Sequence, residues 1–331
     1  MIDSGSTLKR RLGTAFRLLC LVLTAGGLWW FLRGLNIKQL GETFQRAATW
    51  PLVLAALLNI CGHLVRAEGW RVMLGSHLPI PYGRLLRYEL AAQAASALTP
   101  ARAGEVLRFW LLKQDQVPAA TTGALIVLKK VHGAVGLALL VVATPWLVPD
   151  LPGWIRSFVA GFAALMIIQL GLLLIVAHRV KPERLPKFIS SVIGGIDFLR
   201  DTPRMLTTQG VMLVGEMTDA AAAAVVLHAL HVNLPIAAAV LTLFLIDFSN
   251  MLPAAPGHLG TFEVGALYAL NLLNVPQDTA FAFALLFHAQ QDLPQIVLGL
   301  PIELHFIAIR RRRNDSLAHP EKSAKHSRFS G

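Results

Sequence analysis

Long apolar stretches, separated by short segments rich in arginine and lysine, run along this chain of 331 residues. An α-helix rises about 1.5 Å per residue, so a stretch of about 20 apolar residues covers the roughly 30 Å hydrocarbon core of a bilayer. Stretches of that length lie at about 14–35, 50–70, 121–148, 154–178, 204–230 and 278–308. The pattern predicts an all-α, polytopic membrane protein with about six full spans.

Two further apolar segments have helical periodicity but break in the middle at proline and glycine. The first has helical pieces at 84–98 and 102–116, and the second runs from Leu234 to Asn274. Each piece of the first would be about 22 Å long, which is too short to cross the bilayer. A broken helix is tolerated at membrane depth where protein or water surrounds it. We therefore predict two re-entrant helical hairpins. A simple count of apolar helices, spans and hairpins together, would give seven or eight.

The two breaks share a Pro-x-x-x-Gly pattern. The residues assigned to them are Pro100, Gly104, Pro256, Gly257, Gly260 and Thr261. The helices that follow begin at similar motifs, and Lys130 in one falls opposite His288 in the other. This internal match predicts a repeat at about 50–148 and again at about 204–308, in opposite membrane orientations. Inverted repeats of broken helices are the architecture of many transporters, whose substrates bind where the two broken elements meet.

Composition and charge narrow the class of protein. Hydrophobic residues make up 55% of the chain and charged residues only 15%, whereas about 25% of the residues of a soluble domain are charged. This excludes an ordinary soluble enzyme, a disordered chain and a secreted disulfide scaffold. The net charge of +11 resides in basic blocks at the ends of apolar stretches, which is the positive-inside arrangement and not a nucleic-acid-binding surface.

The basic blocks also predict the topology. With both termini in the cytoplasm, six spans leave the basic 66–88 and 178–204 segments on the cytoplasmic side, where anionic lipid headgroups attract them. The predicted domains are a cytoplasmic N-terminus at 1–13, a transmembrane domain at 14–308 and a basic cytoplasmic tail at 309–331.

Ionisable side chains inside the predicted spans and hairpins are the candidate site. A charge near the bilayer centre costs about 2.5–3.5 kcal/mol on insertion scales, so each one needs a reason. The residues assigned to substrate binding and translocation are Arg102, Glu105, Arg108, Lys129, Lys130, Glu216, Asp219, Asp247, Glu263 and His288. When Glu89 and Asp292 are included, interior acids exceed interior bases by three. Either some carboxyls are protonated at rest, or the cavity accepts a group with positive as well as negative charge.

Lys129 and Lys130 lie near the middle of the third predicted span and have two interpretations. They form buried ion pairs with Glu216 and Asp219, which lie one helical turn apart on the fifth span, or they form a cationic seat for a phosphate headgroup. Adjacent helical residues point about 100° apart, so one neighbour cannot satisfy both lysines. Both interpretations stay open, because an empty transport site also needs counter-charges.

The charged residues after the first break also have two interpretations. Arg102, Glu105 and Arg108 follow it at helical spacing, and they form either an interfacial ladder in contact with water or an anion site. The start of a half-helix has free N–H groups and the positive end of the helix dipole, which add to the affinity of Arg102 for an anion. The forked guanidinium also matches phosphate.

At the second break the glycines either only permit the turn or open a matching half-helix for a ligand. Glu263 lies just inside that half-helix, before an apolar run, and it either pairs with an arginine or carries a proton during transport. Asp247 precedes the break, and His288 gains weight from its position in the repeat. We interpret His132 and His228 as packing residues.

Motifs for catalysis do not occur in the sequence. The chain has no His-Glu-x-x-His, Gly-x-Ser-x-Gly, P-loop or dinucleotide-binding fingerprint. We therefore expect no enzymatic activity, no cofactor and no bound metal.

Three sequence elements resemble one known family. They are the run Arg66-Ala-Glu-Gly-Trp-Arg71, the run from Ala97 to Glu105, and the element Pro-Gly-x-x-Gly-Thr-x-Glu at 256–263. Together they are similar to the lysylphosphatidylglycerol synthase transmembrane (flippase-like) family, and the resemblance covers about residues 14–308. His258 departs from the pattern, because it stands where a second glycine is common in that family.

The resemblance implies an integral protein of a prokaryotic plasma membrane that moves a phospholipid or a polyprenyl-linked lipid between leaflets. The best-known members of the family flip an aminoacylated phospholipid. A soluble aminoacyl-transferase domain follows in the full synthases, whereas here a short basic tail follows, so the resemblance implies translocation without lipid synthesis. It also implies membrane lipid as a partner, a separate lipid-modifying enzyme as a further one, and no nucleic acid. The oligomeric state stays open.

Two other classes of function remain at the level of the sequence. One is a membrane enzyme that acts on a polyprenyl phosphate or pyrophosphate, because inverted hairpins with a Pro-Gly loop also resemble the undecaprenyl pyrophosphate phosphatases. Those enzymes carry serine and arginine in the loop, where this chain offers only Thr261. The other is a scaffold that organises lipid enzymes, for which the buried charges would have no explanation.

Overall fold

A computed structural model describes most of the chain between Asn36 and Ala318. The described residues are 36–76, 78–99, 103–148, 151–179, 200–252 and 256–318, together with Val22, Gly26, Trp29 and Arg33. Most of the predicted span at 14–35 and most of the basic tail lie outside the described residues, as do Pro100 and Arg102.

Every regular element of this described part is helical, so the all-α prediction is confirmed. The α-helices are α1 (Ile37–Arg46), α2 (Thr49–Leu74), α3 (Tyr82–Leu98), α4 (Ala103–Gln114), α5 (Ala119–Val141), α6 (Thr144–Leu147), α7 (Gly153–Arg179), α8 (Thr202–Ala229), α9 (Ile236–Ser249), α10 (Thr261–Leu272) and α11 (Gln277–Ala318). A 3₁₀ turn, Pro256–His258, precedes α10.

Within the described residues, four helical segments are long and apolar enough to cross a bilayer. They are Thr49–Leu74, Ala119–Leu147, Gly153–Leu172 and Thr202–Ala229, and they match the second to fifth predicted spans. The sixth predicted span falls within α11, a 42-residue helix that contains Pro294 and Pro301 and is not one of the four. The fold is that of a polytopic helical membrane protein.

The helices α2 and α8 are antiparallel and pack along their whole length. At one end the backbone N–H of Ala48, just before α2, donates to the carbonyl of Ala229 at 2.9 Å. At the other end the Arg204 guanidinium donates to the carbonyls of Val72 and Met73 at 3.0–3.4 Å. The cation of Arg204 therefore caps the C-terminus of α2, where unpaired carbonyls make the helix end negative.

Two broken hairpins follow these two helices. The first consists of α3 and α4, with 17 and 12 residues, and comes after the C-terminus of α2. The second consists of α9 and α10, with 14 and 12 residues, and comes after the C-terminus of α8. Because α2 and α8 are antiparallel, the two hairpins enter the helix bundle from opposite ends. The order of long, short, short and long helices occurs twice, once from α2 to α5 and once from α8 to α11.

A glycine closes each hairpin. A Cβ added to Gly104 would lie 1.9 Å from the carbonyl oxygen of Ala92, and a Cβ added to Gly265 would lie 2.8 Å from the Cα of Ile246. The two arms of each hairpin therefore touch through backbone atoms, at a distance that no larger residue permits. Gly104, predicted as part of the break, instead lies inside α4 and provides this contact.

The apolar core is largest where the second hairpin meets α8 and α11. Phe244 and Phe283 are almost completely buried there, and Phe158 of α7 packs on Phe244 with 5.5 Å between ring centroids. On the outside, α7 presents a continuous apolar surface whose exposed members include Leu165, Ile167, Ile168, Leu172 and Ile175. This surface fits the acyl chains of a bilayer.

Candidate functional site

A polar cavity of about 430 Å³ lies where the two hairpins approach each other. Its walls come from α3, α4, α5, α7, α8 and α9 and from the 3₁₀ turn of the second break. The lining residues are Gln93, Ser96, Glu105, Lys130, Gly133, Ala134, Leu137, Phe162, Glu216, Asp247, Asn250, Met251 and His258. The cavity thus brings together four of the ionisable residues that the sequence assigned to the site, namely Glu105, Lys130, Glu216 and Asp247.

One wall of the cavity belongs to a basic cluster centred on Glu89 of α3. The Glu89 carboxylate is fully buried and accepts hydrogen bonds from Arg108 Nη2 at 2.9 Å and from Lys129 Nζ at 2.8 and 3.0 Å. Trp70 Nε1 donates to the same carboxylate at 3.0 Å. The Trp70 ring also lies 5.1 Å from the Arg108 guanidinium carbon and 5.3 Å from Lys129 Nζ, which adds cation–π attraction.

The basic cluster reaches the cavity through Lys130. Its ammonium pairs with Glu105 at 2.7 Å, and Glu105 also lies 3.4 Å from Arg108. The basic cluster, defined as Glu89, Glu105, Arg108, Lys129 and Lys130, therefore carries three bases and two acids. Its net charge is +1 when all five groups are ionised.

These contacts correct two predictions. Lys129 and Lys130 do not pair with Glu216 and Asp219, because the two lysines diverge around α5 and each meets a carboxylate of the first hairpin instead. The i,i+3 contact of Glu105 with Arg108 is present, but its predicted contact with water is wrong for Arg108, which is only 4% exposed. Arg102 lies outside the described residues.

The opposite wall belongs to an acidic cluster, defined as Arg66, Glu216, Asp219 and Asp247. Arg66 of α2 donates to Asp219 of α8, and the missing side chain of Gly62 leaves room for this pair. Neither Glu216 nor Asp247 has a salt-bridge partner within the described part of the chain. The acidic cluster therefore has a net charge of −2 when all four groups are ionised.

The second break is held by His288 of α11. Its Nδ1 lies 2.5 Å from Glu263 Oε1, and its Nε2 lies 2.7 Å from the carbonyl oxygen of Gly257 and 3.3 Å from Asp292 Oδ2. Both ring nitrogens thus face acceptors. The other oxygen of Glu263 accepts from the backbone N–H of Gly260 at 2.6 Å and caps α10. Glu263 pairs with a histidine, so the predicted arginine partner is wrong.

Backbone conformation explains the glycines of this break. Gly257 has φ of 64° and Gly260 has φ of 89°, a region that residues with a Cβ rarely occupy. A Cβ on Gly257 would also lie 2.9 Å from the carbonyl oxygen of Ala97, at the end of α3. The second break therefore touches the first hairpin directly. The Thr261 hydroxyl has two acceptors within reach, the carbonyl oxygen of His258 at 3.0 Å and Asn250 Oδ1 at 3.1 Å.

Two residues of this site, Asn59 and His63, did not stand out in the sequence, and Arg66 and Trp70 were noted only as part of the family resemblance. Asn59, His63, Arg66 and Trp70 form one stripe of α2 that faces the interior. Their spacing of four, three and four residues is the spacing of one helical face, and this polar stripe in an otherwise apolar span is a signal that could have found them. The two histidines interpreted as packing residues differ: His132 is buried with Nδ1 2.9 Å from Gln209 Oε1, whereas His228 is exposed.

Comparison with known proteins places these features in a family context. Residues 17–299 match the family model described as the lysylphosphatidylglycerol synthase TM region. The match covers well over half of the chain, both hairpins and all of the cavity walls. No curated protein shows significant sequence similarity to the chain.

Proposed function

The chain belongs to the lysylphosphatidylglycerol synthase transmembrane-region family, and from that premise we propose that it is a translocase of a lipid or lipid-linked headgroup. The family indicates a membrane protein with a lipid-related function. The proposal goes further and assigns the movement of a phosphate-bearing headgroup between leaflets, through the polar cavity, without lipid synthesis.

One observation carries this proposal: a cavity with charged walls lies between two broken hairpins that enter from opposite ends. A lipid headgroup crossing a bilayer needs a polar route past the hydrocarbon core, and charged side chains at membrane depth are retained for such routes. A cavity of about 430 Å³ lies within the range of about 300–1,000 Å³ typical of small-ligand sites. Acyl chains of the lipid can stay in the bilayer beside the apolar outer surface.

Lys130 is the phosphate-binding residue in this proposal. Its side chain is 48% exposed and lines the cavity, whereas the Lys129 side chain is 13% exposed and held by Glu89. A phosphate that displaces Glu105 from Lys130 does not strand the carboxylate, because Glu105 keeps its contact with Arg108. Gln93 and Ser96 line the same cavity and supply neutral hydrogen-bond donors.

Alternating access between the two hairpins is the proposed mechanism. The contact of Gly257 with the end of α3 is the point at which one hairpin moves against the other. In this scheme the inverted repeats at about 50–148 and 204–308 rock about the cavity, as in other transporters built from broken helices.

The proposed orientation places the arginine-rich end in the cytoplasm of a prokaryotic cell. Exposed tryptophans at the other end, Trp50, Trp146 and Trp154, fit a membrane–water interface. Arg71, Arg84, Arg87, Lys113 and Arg204 lie at the ends of α2, α3, α4 and α8 that face away from those tryptophans. This asymmetry follows the positive-inside rule.

A vesicle assay tests the function. The purified protein is placed in vesicles of phosphatidylcholine and phosphatidylglycerol that contain a trace of phosphatidylglycerol labelled with a nitrobenzoxadiazole fluorophore on its acyl chain. Dithionite bleaches the fluorophore only in the outer leaflet. Labelled lipid that moves from the inner to the outer leaflet is therefore bleached as well, and the bleached fraction exceeds the fraction that started in the outer leaflet. We expect faster bleaching than in protein-free vesicles.

Lys130→Gln is expected to slow this movement about tenfold or more, since a hydrogen bond to a charged group contributes about 1.5–3 kcal/mol. Lys113→Gln is the matched control, because Lys113 is exposed at the end of α4 and outside the cavity. Bleaching no faster than in protein-free vesicles, with this lipid and with a polyprenyl phosphate probe, would overturn the proposed function. Equal rates in both variants would overturn the role of Lys130.

A further inference from the structure

Two carboxylates of the acidic cluster face the cavity without a cationic partner. Glu216 comes from α8 and Asp247 from α9, and both line the cavity wall. Glu216 packs against α5, where a Cβ on Gly136 would lie 3.3 Å from its Cγ. The two carboxyl groups are therefore fixed by helices that belong to the apolar core, and not by a flexible surface loop.

The charges around this pair do not neutralise it. Glu216 lies in the electrostatic field of Asp219, Arg66, Asp247 and Lys129, and Asp247 lies in the field of Asp219 and Arg66. Arg66 already binds Asp219, and Lys129 already binds Glu89.

The remaining ionisable groups of the cavity wall give no compensation either. Lys130 is paired with Glu105, and His258 has an interaction of its own. Two ionised carboxylates without counter-charge at membrane depth would each cost about 2.5–3.5 kcal/mol, so a positive charge must reach them.

A buried histidine next to the acidic cluster points to the nature of that charge. His63 of α2 is 4% exposed, and neither ring nitrogen has a hydrogen-bond partner among the described residues. It lies in the electrostatic fields of Arg66 and Asp219 of the acidic cluster and of Glu89 and Lys129 of the basic cluster. The Oδ1 of Asn59, one turn away, is also buried and without a partner in the described part. Orphaned polar atoms of this kind are where buried water binds, and imidazole with water forms a proton relay.

We propose that Glu216 and Asp247 are a proton-binding site and that movement of the headgroup is coupled to protons, with His63 and water linking the acidic cluster to the basic cluster. The inference rests on the proposed function for its coupling, though not for the binding of protons. In each step a carboxylate takes a proton from hydronium and releases water, and the reverse step returns the proton. A proton needs only one carboxylate oxygen, so two carboxyls on different helices suffice without an ordered shell of ligands.

Protonation gives the cavity two states. With both carboxyls protonated, the acidic cluster is neutral, because only the Arg66–Asp219 pair remains charged. The walls can then close at little electrostatic cost. With both carboxyls ionised, the cluster carries −2 and needs water or a cationic part of the headgroup, which favours the open cavity. The proton thereby sets which state the empty cavity prefers.

Infrared spectroscopy tests proton binding without any transport. The C=O stretch of a protonated carboxyl is separate from the bands of carboxylate, and its intensity in the protein in vesicles is followed as a function of pH. We expect a protonated carboxyl band at neutral pH that weakens in Glu216→Gln and in Asp247→Asn. Glu42→Gln, at a half-exposed position of α1 outside the cavity, is the matched control and should leave the band unchanged. If the two variants fold poorly, Glu216→Asp keeps the carboxyl and should shift the band instead of removing it.

A second experiment tests the coupling. Lipid movement is measured in vesicles with a pH gradient, with a sodium gradient and with neither. We expect the pH gradient to change the rate about tenfold, within the usual range of coupling between two sites, and Glu216→Gln to abolish this dependence. A response to sodium instead of pH would overturn the assignment of the proton.

The two proposals fail in different ways. A titrating band that the variants remove, in a protein that moves no lipid, would keep the proton site and overturn the proposed function. Lipid movement that ignores the pH gradient, with no band assignable to Glu216 or Asp247, would keep the function and overturn the proton site. In that case a cationic part of the lipid neutralises the two carboxylates.

Discussion

Substitution of Glu89 by glutamine tests whether the basic cluster holds the first hairpin in place. Glu89 is fully buried and binds Arg108, Lys129 and Trp70 from three different helices. Glu89→Gln keeps the size of the side chain but raises the net charge of the basic cluster from +1 to +2. Lys129 then has no carboxylate within reach among the described residues, while Arg108 retains Glu105.

The expected loss of stability follows from the burial of these groups. Removal of one partner of a buried ion pair costs about 3–5 kcal/mol, because the other charge stays buried and uncompensated. At about 2 °C per kcal/mol for a chain of at least 250 residues, the thermal midpoint should fall by roughly 6–10 °C. The midpoint is measured in detergent by the loss of monodisperse protein after heating.

A double variant separates charge from packing. Adding Lys129→Met to Glu89→Gln returns the net charge of the basic cluster to +1, so no buried ammonium is left without a counter-charge. We expect the double variant to recover at least half of the lost midpoint. Glu68→Gln is the control, because Glu68 pairs with Arg71 in an exposed contact worth about 0–1 kcal/mol. A midpoint of Glu89→Gln equal to that of the control would refute the reasoning.

Three further substitutions test single contacts. Gly257→Ala introduces a Cβ 2.9 Å from the carbonyl oxygen of Ala97, at a backbone φ of 64°. This variant should slow lipid movement in the vesicle assay. Unchanged rates would argue against movement at this contact. Arg204→Ala removes the hydrogen bonds to the last carbonyls of α2 and should destabilise the protein by about 1–3 kcal/mol. The thermal midpoint in detergent measures this loss. A midpoint equal to that of the wild type would contradict the role of Arg204 as the C-terminal cap of α2. Gly104→Ala places a Cβ 1.9 Å from the carbonyl oxygen of Ala92 and should lower the stability of the fold by about 1–3 kcal/mol or more. We expect a poor yield of folded protein. A yield and a thermal midpoint equal to those of the wild type would show that the two arms of the hairpin can move apart freely.

The sequence predicted the secondary structure well because apolar length and helix breakers are local properties. Four of the predicted spans appear as long apolar helices, and the break predicted at Pro256 and Gly257 is present as a 3₁₀ turn, Pro256–His258, before α10. These signals need no knowledge of which helices are neighbours. The short length of α3 and α4 was also predicted from a local signal, because proline and glycine interrupt the apolar segment that contains both helices.

The partners of the charged residues could not be predicted in this way. Lys129 faces Glu89 and Lys130 faces Glu105 because the first hairpin lies against α5, and that packing is a tertiary property. Spacing along one helix shows that two acids share a face, but it does not show which helix the face meets. The role of His288 is a similar case: its position in the repeat was noted, while its bonds to Glu263 and Gly257 depend on how α11 crosses the break.

The Arg66–Asp219 contact joins residues that are 153 positions apart in the chain. At a synthesis rate of about 5–20 residues per second, the arginine enters the membrane roughly 8–30 s before its aspartate has been made. During that interval the guanidinium in the nascent first half lacks this aspartate as its counter-charge. We therefore expect the insertion machinery or lipid phosphates to shield α2 until the second half arrives, and we expect an isolated first half to be degraded faster than the full chain.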